Sequence, residues 1–338
     1  MIKSRTLLFI GLTMLILFSL SAGSLALFTS EGISSANTIT TGTMYIGDTN
    51  GERGILDKWV TLENMIPGAE PQRVKLTVKN LGTMTAHIKG LSAFITESDD
   101  KFVANAIQTR CLNNGKELYK GSLLALDGNV MPLNDIVSLE AGKTTELELL
   151  LQLDERAGNW YKGKKLEFSF SVYAFQNKDQ EIDNRTHLAE QDAVQRCLDE
   201  AAPGDVVLIK AGMYKPLRVK AGIAVKAKDV VFDTVVEGFK IDIPSDNNSQ
   251  GNANSVQGFT INSPGNGILV KTGDECKISD NIINSAGCPV QVINPRKVSF
   301  IRNDVTGCKE FFNGNKFGKD IFAKYNLGDD LDPEEDAL

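Results

Sequence analysis

The residues of this 338-residue chain that could act together chemically are oppositely charged pairs 22 positions apart. Asp274 precedes Arg296 by that interval, and Asp280 precedes Arg302 by the same one. If the chain forms stacked coils of that period, each pair would meet on an outer face. A polysaccharide lyase needs a basic side chain beside carboxylates that hold a cation. Within each pair the two charges neutralise each other, and no third charged partner is evident. This favours a ladder of surface ion pairs over a catalytic site.

Cysteine and histidine add no catalytic or metal-binding motif. The five cysteines form no Cys-x-x-Cys pair, and their odd number fits no complete disulfide framework. The chain has two histidines and no His-Glu-x-x-His sequence. His87 lies in a strand pattern opposite Ile88 and is expected to face solvent. Cys276 is expected to be a packed thiol, and Cys288 and Cys308 fall where a disulfide could join adjacent coils. We therefore assign no catalytic residue, no metal ligand and no cofactor.

A repeat of 22 residues predicts the element that carries the charged pairs. Short apolar segments recur at this interval and are separated by corners of glycine or asparagine, a pattern typical of stacked parallel coils. Equivalent residues would then lie ~4.8 Å apart in columns. We expect about five coils. The predicted columns are Val256, Ile278 and Phe300; Ile261, Ile283 and Val305; Ile268 and Val290; Val270 and Val292; Cys276 and Val298; with corners at Gly265 and Gly287 and at Asn262, Asn284 and Thr306.

The start of this repeat also has a recognisable pattern. Apolar residues from Leu188 to Leu198 have helical spacing, and the Pro-Gly-Asp sequence at 203–205 would end that helix before the strand Val206–Ile209. This order resembles the start of right-handed parallel β-helices of the pectate-lyase-like class. We expect a β-helix with an N-terminal capping helix over residues 187–326, and an acidic disordered tail over residues 327–338.

The first half of the chain has the alternation expected of half-buried strands. Polar and apolar residues alternate through Arg73–Lys79, Thr144–Leu153 and Glu167–Val172, with Gly, Pro and Asn between such segments. The pattern predicts an antiparallel β-sandwich over residues 27–176, followed by a polar linker at 177–186. Ala104–Leu112 is the segment of this half that is expected to be helical. The predicted fold is therefore all-β.

The N-terminus has the features of a secretory signal. Lys3 and Arg5 precede the apolar run Leu7–Leu20, and small residues lead up to Ala26. This pattern predicts a signal peptide over residues 1–26, cleaved between Ala26 and Leu27. The alternative is an uncleaved membrane anchor, because the whole apolar segment could almost span a bilayer.

The chain has 36 basic and 43 acidic residues, and the predicted signal contains two of the basic residues and none of the acidic ones. The acidic balance argues against binding to nucleic acid or to anionic lipid surfaces.

The segments beyond the predicted cleavage site resemble those of the TasA/camelysin family in their order. They are Ala26–Ser30, Asn37–Met44, Met65–Gly68, Val78–Thr83, Asp154–Gly163 and Phe168–Gln176. The family consists of exported fibre and biofilm-matrix proteins of Gram-positive bacteria that are processed by a dedicated signal peptidase. The resemblance implies a jelly-roll sandwich, self-association and a location in the extracellular matrix or at the cell surface. Some family members have been described as metallopeptidases, but this chain has no zinc motif, so we do not carry that activity over.

The new N-terminus could act in assembly. Leu27, Phe28 and Ile33 are apolar residues in a segment rich in Ser, Thr and Gly, too sparse to form a core of its own. Such a segment could add as a strand to a neighbouring sandwich and propagate a fibre, or it could pair within its own sheet. The favoured function is an exported structural protein whose β-helix contacts a glycan or a partner. The alternatives are an extracellular polysaccharide lyase or hydrolase, and a surface-binding module that does not polymerise.

Overall fold

A computed structural model describes residues 29–30, 46–47, 59–179, 182, 185–242, 253–271, 275–293, 297–306 and 321–324. The chain is all-β, with antiparallel sheets in its N-terminal half and a parallel β-solenoid of about five turns in its C-terminal half, as the sequence predicts. Among the described residues, no helix is long and apolar enough to cross a membrane.

The strands of the N-terminal half form two antiparallel sheets. The first sheet has the order β1-β10-β5-β8, with β3 also paired to β10; the second has the order β2-β4-β9-β6-β7. The strands are β1 (Thr29–Ser30), β2 (Ile46–Gly47), β3 (Val60–Glu63), β4 (Gln72–Asn80), β5 (Ala86–Ile95), β6 (Ile107–Asn113), β7 (Lys116–Ser122), β8 (Met131–Leu139), β9 (Thr144–Leu153) and β10 (Lys165–Phe175).

The two sheets share one apolar core, as expected for a β-sandwich. Leu147, Leu149 and Leu151 of β9 alternate with more exposed residues and are fully buried. Phe168 and Phe170 of β10 lie in the same core cluster, and their rings contact each other edge to face with centroids 5.3 Å apart. Because side chains alternate across a strand, period-two alternation in the sequence is enough to predict these inward faces.

The helix expected at Ala104–Leu112 is wrong. A 3-10 helix at Asp99–Ala106 leads directly into strand β6, which pairs with β7 on one side and β9 on the other. Ile107, Thr109 and Cys111 are all fully buried, so the burial of this segment has the period of two that is typical of a strand. Its main-chain N–H and C=O groups form hydrogen bonds with the strands on either side. The sandwich contains instead a short helix that the sequence did not predict, α1 (Leu123–Leu126), whose first turn is capped by the Ser122 hydroxyl.

The second half winds through three parallel sheets, which form the faces of the solenoid. The first face has seven strands (β11-β12-β15-β18-β21-β24-β26), the second five (β13-β16-β19-β22-β25) and the third four (β14-β17-β20-β23). The elements are β11 (Thr186–Ala189), α2 (Val194–Glu200), β12 (Val206–Ile209), β13 (Gly212–Tyr214), β14 (Leu217–Val219), β15 (Ala224–Ala227), β16 (Thr234–Val236), β17 (Phe239–Asp242), β18 (Asn254–Gln257), β19 (Thr260–Ser263), β20 (Ile268–Lys271), β21 (Glu275–Ser279), β22 (Ile282–Ser285), β23 (Val290–Ile293), β24 (Lys297–Ile301), β25 (Asp304–Thr306) and β26 (Ile321–Lys324).

Strand register confirms every column predicted from the 22-residue period. Val256 pairs with Ile278 and Ile278 with Phe300 on the first face, where Cys276 also pairs with Val298. The predicted columns on the second and third faces are paired in the same way. At the predicted glycine corner, the Gly287 amide donates to the Gly265 carbonyl. The corner predicted at Asn262, Asn284 and Thr306 is wrong, because these residues lie within the paired strands β19, β22 and β25. There the Asn284 amide donates to the Asn262 side-chain oxygen at 2.9 Å.

The helix predicted over Leu188–Leu198 is shorter than expected. Thr186 and the next three residues form β11, which pairs in parallel with β12 as the first rung of the solenoid. Thr186, expected in the linker, is therefore already part of the stack. The helix α2 begins only at Val194 and buries Val194 and Leu198. The short apolar segment at Leu188–Ala189 is compatible with the period of a helix or of a strand. It becomes a strand because it pairs with the open edge of β12.

One corner of the solenoid has an unusual backbone. Gly258, Asp280 and Arg302 occupy successive rungs and all have positive φ, at 83°, 61° and 54°. The next position on two of these rungs is a buried asparagine, and the Asn281 amide donates to the Asn303 side-chain oxygen at 2.9 Å. The same side chains also bond main-chain carbonyls of the rung before them. The corner is thus fixed by a ladder of amides, and it carries Asp280 and Arg302 on its outer side.

Candidate functional site: a free sheet edge and a buried junction

Strand β10 has an edge that is only partly covered. On one side it pairs with β5 from Phe168 to Phe175. On the other side, β3 pairs with Lys165–Phe168 and β1 pairs with Ala174–Phe175. Between these two short strands, no strand of the described residues pairs with Ser169–Tyr173. This stretch offers main-chain donors and acceptors to a further strand.

Aromatic side chains lie on the outer face beside this edge. Trp59, at the start of β3, and Phe94 of β5 are 52% and 60% exposed. Their rings meet edge to face with centroids 6.1 Å apart, and Phe94 is the register partner of Ser169. An exposed aromatic pair beside a free strand edge gives an added strand both main-chain partners and an apolar contact.

The predicted assembly residues Leu27, Phe28 and Ile33 lie outside the described residues, as do the cleavage residue Ala26, the pair Asp274 and Arg296, and Cys308. The neighbouring Thr29–Ser30 is described, and it pairs within its own sheet as β1. The structure therefore brings the chain directly after the predicted cleavage site to the edge of β10.

Asp280 and Arg302 form the ion pair that the period predicts, but they do not lie on an exposed surface. The Arg302 Nε donates to Asp280 Oδ1 at 2.7 Å, and the side chains are 4% and 0% exposed. The sandwich covers them, and the Arg302 guanidinium also donates to Glu97 Oε1 at 2.7 Å. The prediction of a surface ladder is wrong for this pair because the loop and 3-10 helix that carry Glu97 and Asn105 pack over that corner.

The ion pair belongs to a larger charged network that joins the two halves and is buried except at Glu97. Lys101 bonds Glu97 at 2.7 Å and Asp127 at 2.9 Å. Lys226, on the first face of the solenoid, donates to the Asp127 main-chain carbonyl at 3.1 Å. The network contains equal numbers of acids and bases, which limits the cost of burying charge. Its members are Glu97, Asp127 and Asp280 with Lys101, Lys226 and Arg302.

Neutral side chains complete the hydrogen bonding around Asp280. Gln257 donates to Asp280 Oδ2 at 2.8 Å, and the Asn105 amide donates to the Asp280 main-chain carbonyl at 2.8 Å. The Tyr161 hydroxyl in turn donates to the Asn105 side-chain oxygen at 3.2 Å. With Arg302 also donating to both carboxylate oxygens, Asp280 is committed to holding the two halves together.

The charged groups of the junction have shifted pKa values with separate causes. Burial acts to raise the pKa of Glu97, but the hydrogen bond and charge of Lys101, helped by Arg302, prevail and lower it to about 2. Burial lowers the pKa of Lys226 to about 8, against the attraction of Asp127. The lowered pKa of Glu97 means that its ionised form stabilises the folded state at neutral pH. The lowered pKa of Lys226 reflects the free-energy cost of burying an ammonium group.

Main-chain and apolar contacts extend the junction beyond the charges. The Ser122 amide donates to the Lys228 carbonyl at 2.8 Å, and the Val231 amide donates to the Asn105 carbonyl at 2.9 Å. Leu208 of β12 is part of the sandwich core cluster. The sandwich and the solenoid therefore share buried surface and hydrogen bonds, as the interior of one folded unit does.

The histidines have structural partners. His87 lies 2.9 Å from the Ser138 hydroxyl on the neighbouring strand, and burial, followed by Lys178 and Lys89, lowers its pKa. His187 lies 2.8 Å from Asp205, whose carboxylate also accepts the Ala202 amide. Within the described ranges, no group of three or more His, Cys, Asp or Glu side chains could hold a metal ion.

Sequence reasoning missed most of the junction. Lys226 interrupts an otherwise apolar stretch, Ala224–Ala227, which was the signal that could have marked it. Glu97 and Lys101 are only four positions apart, but Arg302 and Asp127, which join them to the rest of the network, are distant in sequence and leave no local signal. No protein-family model matches the chain, and no curated protein sequence matches it.

Proposed function

We propose that the chain is an exported structural protein that polymerises by donating its N-terminal strand to the β10 edge of a neighbour. The observation that carries the proposal is the stretch Ser169–Tyr173, which no described strand covers on this side, bounded by β3 at one end and by the two-residue β1 at the other. An incoming strand there would gain main-chain hydrogen bonds along the whole stretch.

The register of β1 says where the predicted assembly residues would lie. Thr29 pairs with Phe175 and Ser30 with Ala174, so an extended continuation would set Ile33 opposite Ser171. In β10, Ser171 alternates with the buried Phe170 and Val172 and so lies on the outer face. Ile33 would then extend the exposed aromatic surface of Trp59 and Phe94.

Strand donation from one chain to the next is a head-to-tail contact that does not close on itself, and it therefore propagates as a fibre. The resemblance to the TasA/camelysin family supports the same function, together with export, removal of the signal after Ala26 and a location in the matrix or at the surface of a Gram-positive bacterium. The solenoid would project from each subunit and contact a glycan or a partner.

A cross-linking experiment with two variants tests strand donation in trans. One protein carries Ser30→Cys and the other Ala174→Cys, both in a background in which Cys197 and Cys308 are serine. Ser30 and Ala174 are register partners, and residues directly opposite each other in an antiparallel pair are generally close enough for a disulfide. We expect the mixed and oxidised proteins to give a disulfide-linked heterodimer.

The matched control pairs Ser30→Cys with Ser169→Cys, which lies on the same edge but out of register, and should give little heterodimer. Electron microscopy should show fibres for protein that begins at Leu27 and none for protein that begins at Asn37. A third protein carries both Ser30→Cys and Ala174→Cys in one chain. Strand donation is refuted if this protein cross-links within its own chain while the mixture of the two single variants gives no heterodimer, because β1 would then belong to its own sheet.

The alternative of a polysaccharide lyase or hydrolase acting through the solenoid receives no support from Asp280 and Arg302. Both side chains are buried in the junction, where a polymer could not reach them. A surface-binding module that never polymerises remains the third candidate function, and monomeric protein in both truncation experiments would favour it.

A further inference from the structure

A cleft opens where the sandwich meets the first rungs of the solenoid. Its volume is about 200 Å³, roughly that of seven water molecules at their share of liquid volume, which suits a single ring or an amino-acid-sized molecule. One wall comes from β7 and β8 and the other from β11 and β12. The residues that line it include Met131, Leu133, Asn134, Thr186, Leu208 and Lys228.

Lys228 lines the cleft, and the carboxylates of Asp229 and Glu117 attract its ammonium group without forming an ion pair with it. Its ammonium group donates to the Lys120 main-chain carbonyl at 2.7 Å and lies 5.7 Å from the centre of the Tyr119 ring. Among the described residues, no carboxylate forms an ion pair with it. Burial lowers the pKa of Lys228, opposed by the attraction of Asp229. A half-buried ammonium with one carbonyl and one ring face for partners has donors left for an anion.

The second lysine of the cleft is already neutralised. Lys210 forms an ion pair with Glu190, and its main-chain carbonyl accepts the Tyr214 hydroxyl at 2.7 Å. The lining of the cleft therefore has one lysine without an ion pair, which matches a monoanion better than a doubly charged phosphate group. The remaining walls are mostly apolar, since Met131, Leu133 and Leu208 all line the cleft.

We propose that this cleft binds a small carboxylate with a compact apolar body, with the carboxylate on Lys228 and the body against Met131, Leu133 and Leu208. Asn134 and Thr186 at the cleft supply neutral hydrogen-bonding groups for orientation. The site is built by both halves of the chain, so it exists only because the junction holds them together. It does not depend on strand donation.

Methyl NMR of the full chain, labelled at the methionine methyl groups, tests the proposal. Met131 lines the cleft, and Met213, which is 81% exposed on the second face, serves as an internal reference. We expect benzoate to shift the Met131 signal saturably at concentrations up to about 10 mM, while benzamide, which has the same shape but no charge, shifts it far less. A Met131→Leu variant assigns the signal.

Lys228→Met should weaken benzoate binding about tenfold or more, as the loss of a charge-assisted hydrogen bond does. The control is Lys215→Met, since Lys215 is 85% exposed on the same solenoid and should leave binding unchanged. Thermal melts of both variants establish that they remain folded. Equal binding of benzamide and benzoate, or a Met131 signal that neither compound moves in the folded protein, would overturn the proposal.

Discussion

Replacing Arg302 by methionine would test whether the buried ion pair holds the two halves together. Methionine has a similar length and the same restriction at positive φ, so the change removes chiefly the charge and its hydrogen bonds. Asp280 would remain fully buried, with Gln257 but without its cation. Removing one partner of a buried pair costs about 3–5 kcal/mol, because the remaining charge is uncompensated. Glu97 adds little, since its side chain is 61% exposed.

Urea unfolding followed by tryptophan fluorescence is a suitable assay, because Trp160 packs on Phe102 with ring centroids 4.7 Å apart beside the junction. We expect Arg302→Met to lower the free energy of unfolding by about 3–5 kcal/mol. Adding Asp280→Asn should restore a large part of the loss, because a neutral amide does not need the cation and asparagine tolerates positive φ.

The control for this prediction is Arg110→Met. Arg110 forms an ion pair with Glu117 at 2.6 Å, but both side chains are at least one-third exposed, so the expected cost is about 0–1 kcal/mol. The reasoning is refuted if Arg302→Met costs no more than this surface control. It also fails if the double variant is as unstable as Arg302→Met alone, since the loss would then not come from the unpaired carboxylate.

Three further predictions concern the solenoid, the buried lysine and export. Ile283→Asp should destabilise by more than about 4 kcal/mol, because it places a charge in a fully buried column, whereas Ile293→Asp, at a residue 38% exposed, should change the melting temperature little. The pKa of Lys226 is lowered from 10.5 to about 8 in the folded state, so the unfolded state binds more protons between these two pH values and the free energy of unfolding should rise with pH across that window. Lys226→Met should remove this rise in urea titrations at several pH values. An unchanged dependence of the free energy of unfolding on pH would contradict the prediction. Finally, Ala26→Trp should block processing, and N-terminal sequencing of the secreted wild-type protein should begin at Leu27; a start at Met1 would favour the anchor.

The solenoid columns could be predicted because a repeated rung converts sequence interval directly into spatial contact. Val256, Ile278 and Phe300 are 22 residues apart in sequence and therefore one rung apart in the structure. Predicting their contacts requires neither secondary-structure propensities nor knowledge of contacts between distant parts of the chain. The same interval separates Asn281 from Asn303, and the amide ladder could have been predicted in the same way. The failure at Ala104–Leu112 has a different origin, since its alternation is short and two flanking strands decide its conformation.

The junction could not be predicted because its partners come from distant parts of the chain. Glu97 and Arg302 are separated by 205 positions, and nothing near either residue indicates the other. The stacking of Asp280 with Arg302 follows from the period, but their burial depends on the sandwich that covers the corner. A charge pattern in sequence alone does not distinguish an exposed ladder from one that a second layer buries.

The junction also limits how this chain can change length during evolution. A solenoid ordinarily gains or loses whole coils at little cost, because each rung contacts only its neighbours. Here the sandwich touches several rungs at once, through Lys226, Asp280 and Arg302. Duplicating a coil between the last two would move Arg302 ~4.8 Å along the axis and out of register with Glu97. Coils could therefore be added freely only beyond Thr306, where the described contacts with the sandwich have ended.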